Sequence, residues 1–552
     1  MRAIARAIEL QRKGKLDEAE QVYASLLAND DRDPTVLINA GVLAIARNDV
    51  PAAIDRLERG AQIAPSNAVA HANLGFALIR AGRDADALVA LNRAIELIPD
   101  FAQAHNNRGI ALVRLKHRDE AIVAFERALA ALPAYADAAI NLGELQNRAG
   151  DTSRAREYFA RVRPGDPSEP VARVGLAFAD AIEGNLGRSL AALEAIVAQH
   201  PHVVPAWHTL GAVRNWARQH EDAERAFRQA LALDPAHRDA RFGVASTLLA
   251  RGRYREGFAM FEASREGYLP SAPGLRTLPR WDGKPLAGTL VVHGEQGLGD
   301  VVQFARFVPL LRPRAQRIVL LLDGYWHSLA PLLGSLEGVD RIVTDAAELA
   351  NERPVARVSM LSLPALADAE VATLPSSTYL ESPVDRRPRW REQVAQSGLR
   401  VGLAWSVYAR DDHGYVTMHK SLPAAALAPI LDTAGVSFYS LQPRAAGKTA
   451  SLAERSRTVQ DTSSEIADFG DTSALIDSLD LVISADTAVA HVAGALGKPV
   501  WLLDRFNGCW RWRLDPERSP WYPTLRIFRQ ARFGDWNEPV ARVAAALVQL
   551  KR

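Results

Sequence analysis

Leu481–Leu503 reads LVISADTAVAHVAGALGKPVWLL. Leu481–Ser484 is an apolar run of strand length, and Ala488–Leu496 is a run of small residues with helical spacing. Gly497-Lys498-Pro499 ends that helix, and Val500–Leu503 is a second apolar run. The stretch predicts a strand–helix–strand unit of a parallel sheet. Asp486 and Thr487 fall at the helix N-cap, and His491 follows Thr487 by four positions on the same face. That corner joins unpaired backbone N–H groups to the positive end of a helix, a setting that suits a diphosphate. Ordinary capping and a hydrogen-bonded helix histidine would give the same pattern, so the reading needs support from elsewhere in the chain.

Working upstream, Thr289–His293 predicts another strand, followed by Gly294-Glu295-Gln296-Gly297-Leu298-Gly299-Asp300 and a helix from Val301 to Leu311. Three glycines in a strand-to-helix turn permit close approach to the backbone, but the spacing is neither a dinucleotide fingerprint nor a P-loop. Further strands are expected at Arg317–Leu322, Arg341–Thr344, Val355–Met360, Arg400–Trp405 and Ser437–Leu441. Helices are expected at Ser328–Leu336, Ala424–Leu431, Ser473–Leu479 and Glu538–Leu550. This alternation in two sets, with Tyr379–Pro383 as the crossover, predicts two Rossmann-like lobes facing a cleft, at 289–383 and 384–552. The segment 268–288, rich in proline and glycine, reads as a linker.

From 1 to 267 the chain reads as helix and repeats itself. Gly41, Gly75, Gly109 and Gly143 stand in register with Ala53, Ala87, Ala121 and Ala155, and Pro65, Pro99 and Pro133 close successive units, a spacing of about 34 residues. The unit with Trp207, Leu210, Gly211, Ala223, Phe227, Ala230 and Pro235 resembles the tetratricopeptide repeat almost in full, and about eight such repeats are expected. The stretch from Arg161 to His200 carries the weakest boundary. Such a solenoid presents a groove for an extended peptide or a partner helix. Asn39, Asn73, Asn106, Asn107 and Asn141 recur on the first helices and would hold a peptide backbone, or else they are solvated positions on the inner face.

Composition narrows the classes. Lys+Arg 66 against Asp+Glu 64 leaves +2, which gives no electrostatic footprint for nucleic acid or an anionic membrane. One cysteine, Cys509, rules out an intrachain disulfide framework or a cysteine metal site. The first residues lack the apolar core of a signal peptide, and no apolar run is long enough to span a bilayer, so a cytoplasmic protein is expected.

The segments GEQGLGDVVQFARFVPLL (294–311), VGLAWS (401–406), HKSLP (419–423), FYSLQ (438–442) and ISADTAVAHVAGALGKPVWLL (483–503) together resemble the heptosyltransferase-like glycosyltransferases of the GT-B fold. With the upstream repeats and SPWYPTLRIFRQ (519–530), the whole resembles bacterial repeat-linked transferases, including those that modify flagellin. The resemblance implies a metal-independent, inverting enzyme without a cofactor that moves a sugar from a nucleotide-sugar donor to a protein hydroxyl. It implies Asp300 as the acceptor-activating base. Lys420, Gln442, Asp486, Thr487, Ala488 and His491 would then serve as donor contacts, with Glu295, Gln296, Gly297 and Gly299 as the acceptor-side loop. His413 and His419 flank Lys420, and VYARDDHGYVTM (407–418) departs from the family's loop. The Arg and Trp mixture at 505–532 is assigned to packing and sugar-nucleotide contacts rather than nucleic acid. A non-catalytic repeat scaffold with a vestigial transferase domain, and a transferase acting on lipopolysaccharide or another glycan, are the alternatives.

Overall fold

The computed structural model describes residues 2–270, 272–375, 378–394, 398–407, 419–442 and 459–550. It divides into two compact units, Met1–Glu183 and Gly184–Arg552.

The first unit is entirely helical among its described residues and runs in pairs, from Arg2–Arg12 with Leu16–Asn29 to Ala136–Ala149 with Thr152–Phe159, followed by Glu169–Ile182. The glycine register has a steric cause. A Cβ on Gly41, Gly75, Gly109 or Gly143 would lie 2.4–2.6 Å from Leu57, Leu91, Phe125 or Phe159 respectively, far inside van der Waals contact. Each glycine opens a notch in the first helix of a pair, and the large apolar residue sixteen positions later on the second helix fills it. Side chains of Asp33, Asp49, Asn67 and Asp151 accept from backbone N–H groups at helix starts. Arg80 donates to the carbonyl of Ile45 (3.3 Å), and Arg114 donates to that of Ile79, so a cation in one pair satisfies the last turn of the first helix of the pair before it.

Gly184–Arg552 holds the helices Leu186–Gln199, Val204–Trp216, His220–Leu233, Arg238–Ala250 and Tyr254–Ser264 together with two sheets. The periodic array thus continues past the division, and its last pairs belong by packing to the unit that carries the sheets. Tyr254 and Phe258 are the reason. Their rings pack on Trp510 and Trp521, with centroids 5.5–6.4 Å apart, and Phe258 also meets Phe304 at 6.2 Å. Rings of this size dominate the local burial, and edge-to-face pairs add to it.

The strands are β1 (Leu286–His293), β2 (Ala315–Leu321), β3 (Arg341–Val343), β4 (Pro354–Ser359), β5 (Leu399–Ala404), β6 (Val436–Ser440), β7 (Val459–Gln460), β8 (Leu481–Ala485), β9 (Val500–Asp504), β10 (Arg518–Ser519) and β11 (Tyr522–Arg529). Among the described residues the first sheet has the order β3-β2-β1-β4 and is parallel. The second has the order β10-β11-β9-β8-β5-β6-β7 and is parallel except for β10. Successive strands run outward from β1 through β2 to β3 before the chain returns to β4 on the other side. From β5 they run through β6 to β7 before the return to β8. Each sheet therefore has a switch point, at β1/β4 and at β5/β8, which is where open parallel sheets take ligands beyond their carboxyl ends.

Three helices expected from the sequence are shorter than read. Val301–Leu311 is a helix over Leu298–Ala305 and a 3-10 turn over Val308–Leu311. Ser328–Leu336 and Ala424–Leu431 each divide into a 3-10 turn and a helix of four residues. Pro309, Pro331 and Pro429 stand at these junctions, where the missing N–H and the ring interrupt a continuous α ladder. The strand β11 was not foreseen: Arg526 and Arg529 break its apolar run, yet it pairs with β9 along Leu525–Arg529, and Arg529 meets Asp504 on the neighbouring strand at 2.8 Å.

Replacing Gly109 by Ala is expected to destabilise the protein by about 1–3 kcal/mol, since Phe125 must shift to admit the methyl group. Urea unfolding followed by circular dichroism measures it. A chain starting at residue 184 is expected to unfold cooperatively, whereas one starting at 268 exposes the Trp510/Trp521 surface and aggregates, as light scattering would detect.

Candidate functional site

The carboxyl ends of the strands gather most of the polar groups singled out in the sequence. After β1, Gly297 caps the helix Leu298–Ala305, and its N–H donates to Asp300 Oδ2 at 2.8 Å. After β8, Thr487 caps Ala488–Ala495, its hydroxyl accepting from Val489 N at 3.3 Å and lying 3.1 Å from Ser484 Oγ. The two helices meet face on. A Cβ on Gly299 would lie 2.7 Å from His491 Cδ2 and 3.4 Å from Ala488 Cα, so the glycine loop rests directly on the second helix.

Two ion pairs occupy this corner. Lys420 Nζ lies 2.8 Å from Asp486 Oδ2, and Trp512 Nε1 donates to Asp486 Oδ1 at 2.9 Å. Burial pushes the Asp486 carboxyl up, but Lys420, by charge and by hydrogen bond, reverses this and holds it well below the usual carboxylate range. Arg511 pairs with Asp300 through Nη2, donates to Gln303 Oε1 through Nε, and to Cys509 Sγ at 3.0 Å. Its guanidinium lies 4.5 Å from the Trp510 ring centre.

His491 is buried and its Nδ1 is 3.0 Å from the Tyr522 hydroxyl. Burial, and after it Arg511, pulls its pKa down to about 3, so the ring is neutral near pH 7 and acts as a hydrogen-bonding wall rather than a cation. Behind Tyr522, the buried Arg306 donates to the carbonyls of Pro375 and Trp521 at 2.9 and 2.7 Å, and its guanidinium lies 4.7 Å from the Tyr522 ring centre.

Other expected residues are engaged differently. Glu295 is buried and bound by Arg265 and by Ser359 Oγ, so its carboxylate is occupied within the fold. Gln296 adopts φ 58°, and its carbonyl accepts from the Tyr325 hydroxyl and from Trp326 Nε1 at 3.3 Å. Gln442 is buried, its Oε1 accepting from the N–H groups of Trp405 and Ser406 and its Nε2 donating to Ser406 O at 2.8 Å, which ties β5 to β6 at their ends. His419 stacks edge-on against Phe533, with centroids 4.8 Å apart. His413 and the loop 408–418 lie outside the described residues. The role of Arg511 and Trp512 was not separable from the Arg and Trp mixture in the sequence. Their partners are remote: Asp300 lies 211 positions from Arg511.

In the first unit a cavity of about 630 Å³ is lined by Asn73, Asn106, Asn107 and Asn141 together with Phe76 and Tyr135. Asn141 Nδ2 donates to Asn106 Oδ1 at 3.0 Å, one repeat to the next. Asn39 lies outside this lining and donates to Thr35 O of its own helix at 2.8 Å. No three His, Cys, Asp or Glu side chains come together as a metal site among the described residues, and no helix there is long and apolar enough to cross a membrane.

Four histidines of the second unit, His208, His220, His293 and His491, are held below their ordinary value near 6.5, at about 4, 4, 4 and 3, with burial the first cause in each. Between the unfolded and folded values the unfolded chain binds more protons, so stability is complete above about pH 6.5 and falls as pH drops toward 4. Replacing His491 by Gln is expected to reduce that slope, measured by denaturant midpoints at stepped pH, and an unchanged slope would contradict the assignment.

Models of the tetratricopeptide repeat match residues 4–68, 44–108, 106–170 and 217–268. Protein FlbA of Caulobacter vibrioides is 30% identical over 332 residues, covering 55% of this chain and 54% of that protein, so the chain spans about half the length of this curated relative. Among solved structures, that of MamA is 25% identical over 28% of this chain and 91% of its own, with a TM-score of 0.26. A tetratricopeptide repeat protein from Parabacteroides merdae is 16% identical over 43% and 93%, with a TM-score of 0.37. The N-terminal region is built of tetratricopeptide repeats, and the C-terminal region carries parallel α/β sheets.

Proposed function

We propose that the chain is a glycosyltransferase that moves a sugar from a nucleotide-sugar donor to a protein hydroxyl, with the repeats selecting the polypeptide. One observation carries this reading: the switch points of two parallel sheets are brought together, with the Asp300 loop of one resting on the Thr487–His491 corner of the other. In the step proposed, the acceptor oxygen attacks the anomeric carbon as the bond from that carbon to the phosphate oxygen breaks. The nucleoside diphosphate leaves with the electron pair, and the hydroxyl proton passes to the Asp300 carboxylate. Lys420, Thr487 and the first N–H groups of Ala488–Ala495 meet the charge that builds on the leaving group. Attack from the face opposite the leaving group inverts the anomeric centre. A flagellin is the acceptor that the sequence resemblance suggests.

A second reading, a repeat scaffold with an inactive transferase domain, is favoured by the same ion pairs. Asp300 and Lys420 each already have a counter-ion, as residues retained only for folding would. Calorimetry of the full chain against UDP-, ADP-, GDP- and CMP-linked sugars, with EDTA present, separates the two. The transferase is expected to bind one donor saturably and to gain about 2.7 kcal/mol of stability at a hundredfold excess over Kd. Lys420→Ala is expected to lose both effects. Absence of binding across the panel to well-folded protein gives the scaffold precedence.

A further inference from the structure

We propose that Arg511 is a phosphate-binding latch: without donor it is the counter-ion of Asp300, and a nucleoside diphosphate at the Lys420/Thr487 corner takes it over and releases Asp300 for the acceptor. The inference rests on the transferase reading and adds a residue that changes partner during the cycle.

The short turn Trp510–Trp512 follows β9 and reaches both carboxylates of the corner, Arg511 pairing with Asp300 and Trp512 donating to Asp486. A phosphate beside Asp486 is therefore one residue from the Arg511 fork. The guanidinium carbon lies 4.5 Å from the Trp510 ring centre and 5.7 Å from that of Phe304, so two aromatic rings hold the group in place whichever acceptors its N–H groups take. One of those N–H groups is spent on Cys509 Sγ, a weak acceptor that a phosphate oxygen readily replaces.

An independent observation points to a missing acceptor. Gln303 is fully buried, and its Oε1 accepts from Arg511 Nε, but its Nε2 has no hydrogen-bond partner among the described residues. A buried amide N–H₂ left unpaired is costly, and one attached to the residue that holds Arg511 fits a site completed by an oxygen-rich ligand. Charge makes the binding a competition. Arg511 and Lys420 are balanced by Asp300 and Asp486 in the free chain, so an arriving diphosphate must compete with the carboxylates for cations. Asp486 is buried in its pair with Lys420 and in the Trp512 hydrogen bond, whereas Asp300 retains one-fifth of its side-chain exposure and yields first.

The test is calorimetric titration of the full chain with pyrophosphate, UDP, ADP and GDP. Asp300→Asn, which removes the competing charge while keeping an acceptor for the Gly297 N–H, is expected to bind the diphosphate several-fold more tightly than wild type. Arg511→Gln is expected to bind it about tenfold or more weakly, the loss of charge-assisted hydrogen bonds. Arg511→Lys, which keeps the charge and loses the fork, is expected to bind more weakly than wild type and more tightly than Arg511→Gln. Wild-type binding with Asp300→Asn unchanged or weaker overturns the latch and leaves the transferase reading standing. So does wild-type affinity in Arg511→Gln. If that variant fails to fold, Asp300→Asn and Arg511→Lys still decide the matter. No binding of any of these probes to folded wild type overturns the latch, and failure of the nucleotide-sugar panel as well removes the transferase reading with it.

Discussion

Gly299 is where the C-terminal region has no room to spare. Any side chain there would strike the imidazole of His491 and crowd the backbone of Ala488, so the helix after β1 and the helix after β8 meet at a distance only a bare Cα permits. Much follows from that approach. It puts Asp300, three residues beyond its own N-cap Gly297, in reach of the turn after β9, and it seals His491 from water so that the ring stays neutral. The contact converts two separately ordered sheet edges into one surface.

The electrostatics of that surface are those of a closed circuit. Two cations and two carboxylates are paired off, the histidine carries no charge and bonds the Tyr522 hydroxyl, and the Trp512 indole donates to Asp486, while Gln303 Nε2 is left without a partner among the described residues. Pairing of this kind stabilises little by itself, because desolvation takes back much of the Coulomb attraction. It does fix geometry, and it keeps Lys420 and Arg511 where an anion would need them without leaving either as an isolated buried charge.

Much of the architecture was legible in the sequence because its causes are local or periodic. The glycine register of the repeats reports a notch filled sixteen residues later, and the corner at Asp486 reports the cap of its own helix. The apolar runs of β1, β5, β8 and β9 report strands buried on both faces. Where the reading failed, the cause was context. Pro309, Pro331 and Pro429 shortened helices whose apolar pattern ran straight through them. Strand β11 was hidden by arginines whose charges are answered on other segments, Arg529 by Asp504 on β9. Gln442 was expected as a donor contact, but the partners that it and Arg511 hold could not be read from their neighbours, since Ser406 and Asp300 lie 36 and 211 positions away.

The division at Glu183 and Gly184 bears on how such a chain can change over generations. Upstream, four helix pairs carry both notch and knob themselves, so duplication or loss of one such pair leaves that packing rule intact in the others. Downstream, Tyr254 and Phe258 are part of the aromatic seam with Trp510 and Trp521, and the pairs there are bound to the fate of the sheets. Recombination is thereby confined to one side: the array can lengthen, shorten or be exchanged toward its start, while its last pairs are inherited as a fixed part of the α/β unit.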